Sequence, residues 1–156
     1  MSVIASFDRG AVLGLTIESA VVTIERGRVA LFARTIGEEP GVHTDLDLAR
    51  AAGHPDLVVP PTFLFSVLNE LSQPFGDLTR VGVDLADVLH GEQAFTYRLP
   101  VHAGDSLTIA PRYVDAFTKK DGALLLLVRE TELVRDGGVV ATERATLVVP
   151  VRKTSC

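Results

Sequence analysis

The sequence predicts an α+β fold, a curved antiparallel sheet wrapped around one buried helix. Three observations carry this. The stretch between Pro61 and Pro74 is apolar almost all the way round, the mark of a helix buried on most sides. After Leu85 apolar and polar residues alternate with a period of two, as strands require. Asp121-Gly122 and Asp136-Gly137-Gly138 punctuate that second half as hairpin turns. A length of 156 residues fits a single domain over 1–156, and a hydrophobic content of 47% is ample for a packed core.

In chain order, Ser19 to Ile24 is a short β-prone stretch, with Val21, Val22 and Ile24 among polar neighbours. From Arg26 the period changes. Val29, Phe32, Ala33 and Ile36 fall at i, i+3, i+4 and i+7, one face of a helix that Gly37 ends. Thr44 with Asp47 three residues on reads as a capping box for a second short helix, which the alanines at 49, 51 and 52 favour and Gly53 stops. Pro61 suits the first position of the third helix, where its missing N–H is harmless, and Pro74 blocks continuation. That helix, expected over Pro61–Gln73, is the cover for the sheet's apolar face. Gln93, Phe95, Tyr97 and Leu99 then alternate with polar neighbours. A turn at Ala103-Gly104-Asp105 leads into Leu107, Ile109 and Tyr113, and two further strands span Ala123 to Val134 and Val139 to Val151. Joined by tight turns, these four long strands read as an antiparallel meander.

Composition excludes several classes. Fifteen basic against twenty acidic side chains give a formal charge of −5, which favours neither nucleic acid nor anionic membrane as a partner. No apolar run approaches the roughly 20 residues that span a bilayer, and Asp8 and Arg9 interrupt any secretion signal, so a cytoplasmic protein is expected. The one cysteine is Cys156, the last residue, and cannot form an internal disulfide. Four scattered histidines without an internal cysteine give no metal-ligand pattern, so no metal site is expected.

The informative segment is Gly37-Glu38-Glu39-Pro40-Gly41-Val42-His43-Thr44-Asp45. It resembles the signature of the MaoC-like (R)-specific enoyl-thioester hydratases: Gly-Asp-x-Asn-Pro-(Ile/Val)-His-x-Asp, with a small residue six positions after the histidine. Gly37, Val42, His43, Asp45 and Ala49 fall in register; Glu38 stands where the motif has aspartate, and Pro40 and Gly41 where it has asparagine and proline. Ala51-Ala52-Gly53-His54, Val58 to Phe63, and Leu89-His90-Gly91-Glu92-Gln93 with Phe95, Tyr97 and Ala103-Gly104-Asp105 resemble the FAS1-like dehydratase, N-terminal branch of that family. The resemblance runs from about Gly14 to Val149. It implies the hot-dog fold, an acyl-CoA or acyl-carrier-protein thioester as substrate, and no cofactor beyond that carrier. It also implies Glu38 and His43 as the catalytic pair, facing a substrate-binding helix start at Pro61, Thr62 and Phe63. Relatives carry His-Gly at Pro60-Pro61; proline has no N–H to offer a developing oxyanion, so the resemblance leaves that donor to Thr62 or a residue nearby.

A carboxylate and an imidazole flanking one water suit this chemistry. One deprotonates the water and the other protonates the α-carbon, with the reverse roles in dehydration. Without the motif, Glu38 and Glu39 read as solvated charges past a helix, and His43 as a loop or capping residue. Asp45 reads as a helix cap. His54 and His102, beside turn residues, read as surface groups, and His90 as near a cleft. Three functions compete: a hydro-lyase; a non-catalytic acyl-chain-binding subunit beside a related catalytic hot-dog chain; and a thioesterase using Glu70, the central helix's lone carboxylate. An edge strand and apolar surface imply a homodimer or heterodimer.

Overall fold

The computed structural model describes residues 8–151, so Cys156 lies outside the described residues. The chain opens with α1, Arg9–Leu13, which the sequence pattern does not announce; the Asp8 carboxylate caps it by accepting from Gly10 N and Ala11 N. β1 is Ala20–Thr23 and α2 is Arg26–Thr35. Val29 and Ala33 of α2 are buried as its periodicity predicts, whereas Ile36 falls past the last turn and is exposed. α3 is Leu46–Ala51, and its cap is Asp45, not Thr44. The Asp45 carboxylate accepts from Asp47 N and Leu48 N, while the Thr44 hydroxyl accepts from Gly41 N instead.

The central helix is shorter and tighter than expected. A 3₁₀ turn at Pro61–Phe63 leads into α4, Leu64–Val67, and a second 3₁₀ turn at Leu68–Glu70 ends it, because Leu71 is already extended. Tertiary contacts hold the chain beyond that point. Arg129 Nη1 donates to Pro74 O at 2.8 Å and the Tyr113 hydroxyl to Phe75 O at 2.8 Å.

β2 (Leu89–Tyr97), β3 (Ser106–Lys119), β4 (Leu124–Arg135) and β5 (Gly138–Pro150) complete one antiparallel sheet in the order β1-β3-β4-β5-β2. β3, β4 and β5 form the expected meander, but β2 does not pair with its successor β3. It lies along β5, with Tyr97 opposite Ala141 and Phe95 opposite Glu143. The β4–β5 hairpin turns on Asp136 and Gly137, both with positive φ, the conformation a two-residue type I′ loop demands. Register shifts with an extra residue in β2, β3 and β5 bend the sheet. The β2 shift is at Gly91, where an added Cβ would sit 2.8 Å from Val148 Cγ2 and 2.9 Å from Thr146 O, so only glycine fits.

Phe63, Leu64, Val67 and Leu68 of the central helix pack on Leu107, Ile109, Leu133 and Ala141 of the sheet. A second cluster joins Val12, Leu78 and Val83 to Tyr113, Leu125, Leu127 and Leu147. Alternation along β4 and β5 places Arg129, Thr131 and Glu143 on the same face as these apolar residues, all fully or almost fully buried. One helix seated on one face of an antiparallel sheet is the hot-dog arrangement. Among the described residues no helix is long and apolar enough to cross a membrane.

Candidate active site

The loop after α2 is shaped by its exit from the helix. Glu38 N donates to Ala33 O and Gly37 N to Arg34 O, with Gly37 at φ +84, the two bonds of a Schellman cap. Glu38 is therefore fixed by its main chain, while its side chain is exposed. A turn closed by Thr44 N and Asp45 N on Gly41 O then delivers His43 between Gly41 and the cap of α3.

His43 is half-buried, and its Nδ1 lies 2.7 Å from Val58 O. A carbonyl oxygen has no proton to give, so Nδ1 carries the hydrogen and the neutral ring keeps its lone pair on Nε2. Val58 is itself held, donating to Val42 O at 3.0 Å. His43 borders a cavity of about 390 Å³ whose walls are mainly apolar, with Val59, Pro61, Leu64, Leu99 and Val101 among them. Tyr97 and Arg98 line it as well. The Tyr97 hydroxyl donates to Pro61 O, and burial pushes its pKa up to about 12.

The cavity thus brings together His43 and Pro61 of the residues the sequence singled out. Glu38, exposed, is not among its lining residues. Thr62 is exposed, and Phe63 is a core residue, 2% exposed, with its ring edge-on to Phe32 at 5.4 Å. Glu70 is ion-paired with Arg28 at 2.5 Å. The sequence reading gave Tyr97 and Arg98 no place in the site, although Tyr97 stands in the period-two run with Gln93, Phe95 and Leu99 and among the residues that carry the resemblance.

Behind His43 lies a second network that the sequence misplaces. His102 is buried, not a surface group: it bridges Val58 across an isolated β-contact, and its Nε2 lies 3.1 Å from His54 Nδ1. Asp105 accepts from His102 N at 2.8 Å and is ion-paired with Arg135. Asp56, in the same segment, accepts from Arg26 Nε and Nη2 at 2.8 and 2.5 Å, and this pairing holds its carboxyl below the usual carboxylate range. These contacts anchor the 54–58 segment that carries the oxygen orienting His43. His90 stands apart, edge-on to Phe65 at 5.5 Å.

The family model of the FAS1-like dehydratase domain region matches residues 11–143. The chain belongs to this family. Among its relatives, a UPF0336 protein from Clavibacter michiganensis is 39% identical over 137 residues, 84% of this chain and 87% of that one. The fold of this FAS1-like dehydratase domain is shared with the HadBC (3R-hydroxyacyl-ACP dehydratase) complex from Mycobacterium tuberculosis. That likeness has a TM-score of 0.73 at 20% identity and covers 86% of this chain and 96% of that one. It is shared also with an (R)-hydratase from A. caviae involved in PHA biosynthesis, at a TM-score of 0.59, 20% identity and the same two coverages.

Proposed function

We propose that this chain takes part in adding water to 2-enoyl thioesters, or removing it from (R)-3-hydroxyacyl thioesters, carried on coenzyme A or an acyl-carrier protein. One observation carries the reading. His43, whose bond from Nδ1 to Val58 O leaves the lone pair on Nε2, borders an apolar cavity at the start of the central helix, the surroundings an acyl chain and a proton transfer both need. In hydration one group takes a proton from water as its oxygen bonds to C3, and another delivers a proton to C2. His43 fills one role and Glu38 is the candidate for the other.

A second reading is favoured by the exposure of Glu38 and its place outside the cavity lining. In it this chain holds the acyl group, and a related hot-dog subunit brings the carboxylate. HadBC, which shares the fold, is a complex. The free edge of β2, bordering the cavity through Tyr97, is where such a partner would join.

The purified chain mixed alone with crotonyl-CoA separates the readings, followed by loss of enoyl absorbance. If the chain is self-sufficient, Glu38→Gln and His43→Ala each lower turnover about 100-fold or more, with melting temperatures close to the parent's. Turnover that appears only with a partner subunit, and is indifferent to Glu38→Gln, assigns the acyl-holding role. A chain that neither turns over nor binds acyl-CoA in any combination overturns both.

A further inference from the structure

Both readings above require the thioester carbonyl to be held in the cavity, and the following rests on that requirement. Charge that accumulates on this oxygen as C2 gains or loses its proton must be met by a preorganised donor. The main chain at the helix start supplies little. Pro61 has no N–H, Phe63 N is already committed to Pro60 O at 3.0 Å, and Thr62, whose N–H lies between them, is exposed and not among the residues that line the cavity. His43 Nδ1–H is committed to Val58 O. Of the cavity-lining side chains with a proton to donate, Tyr97 and Arg98 remain, and the Tyr97 hydroxyl lies at the Pro61 end, where it donates to Pro61 O.

We infer that Tyr97 is the oxyanion donor of this site, its O–H turning from Pro61 O to the thioester carbonyl oxygen when an acyl group is bound. The step is an exchange of hydrogen-bond acceptors. The phenol keeps its proton throughout, no bond to carbon forms at Tyr97, and Pro61 O, at an exposed residue, is left to water. The bond is already made to the neutral carbonyl and strengthens as that oxygen gains charge, the differential that accelerates a reaction. The raised pKa of Tyr97 agrees with this, since a phenol held above its ordinary value is a neutral donor across the working pH range. The ring is steadied by stacking on Phe95, with centroids 5.8 Å apart, so Tyr97→Phe removes the donor and leaves the packing.

The test uses butyryl-CoA labelled at its carbonyl carbon, a saturated thioester that cannot be hydrated. Bound to the parent chain, its carbonyl stretch is expected below the frequency in water. Bound to Tyr97→Phe with affinity within a few-fold, it should lose that shift. Turnover of crotonyl-CoA, by the chain alone or with its partner, should fall about 100-fold in the same variant. An unchanged carbonyl band and turnover in Tyr97→Phe overturn the assignment while leaving the proposed function standing. Failure of the parent chain to bind butyryl-CoA overturns both.

Discussion

His102 joins the histidine pair to the segment that orients His43, and its charge state has a definite sign of effect on stability. Burial disfavours the imidazolium; Asp105 acts in the opposite sense, while protonated His54 and Arg135 act with burial, and the net pKa lies below the ordinary 6.5. Between the folded value and 6.5 the unfolded chain binds more protons than the folded one. Stability therefore rises with pH there: it is fully present above 6.5 and is lost as the pH falls through the folded value. The melting temperature of the parent should drop from about pH 7 to about pH 5 more steeply than that of His102→Gln, which has nothing to titrate there. Equal slopes would remove His102 from the acid response. Its burial was not legible in sequence, because Ala103-Gly104-Asp105 reads as an exposed turn. The residue is covered from afar, by His54 at a separation of 48 positions. The loop of His43 was legible because its shape is local: Gly37, Thr44 and Asp45 make their bonds within a few residues.

Among the elements, the same division separates what the sequence announced from what it hid. The Asp136-Gly137 hairpin follows from two residues that tolerate positive φ, and the strands on either side from their alternation. The pairing of β2 with β5 depends on a partner some fifty residues away, and no local pattern encodes it. The early end of the central helix was hidden likewise, since Arg129 and Tyr113 of distant strands hold Pro74 and Phe75. β4 and β5 also carry charges where the period promises only apolar contacts. Arg129 Nη2 and Gln93 Nε2 donate to Glu143 Oε1 at 3.3 and 2.8 Å, inside the core. Removing one member of such a pair strands the other charge, so Glu143→Leu should destabilise by about 3–5 kcal/mol. The double replacement Arg129→Met, Glu143→Leu should recover most of that loss. Urea unfolding of the three proteins measures the difference, and a double variant no better than the single would show that the charges do not act as a pair.

Across the whole molecule, the sheet is open at both ends. Among the described residues β1 pairs with no strand but β3, over four residues, and β2 with none but β5. Leu89, the first residue of β2, and Leu99, just past its end, are 56% and 51% exposed, which adds apolar surface to this edge. A dimer, with itself or with a related subunit, is the expected state, and a monodisperse monomer by light scattering at micromolar concentration would count against it. The one-sided pairing of β2 also carries its own clock. In an isolated chain, every second amide along the strand points away from β5 and should trade its hydrogen for deuterium within moments, while the amides between them stay shielded. A partner aligned along the strand would slow the fast set and erase that alternation. A partner resting only on the face of the sheet would leave the rhythm intact, so the exchange pattern of nine consecutive residues, Leu89 to Tyr97, reports how the subunits meet.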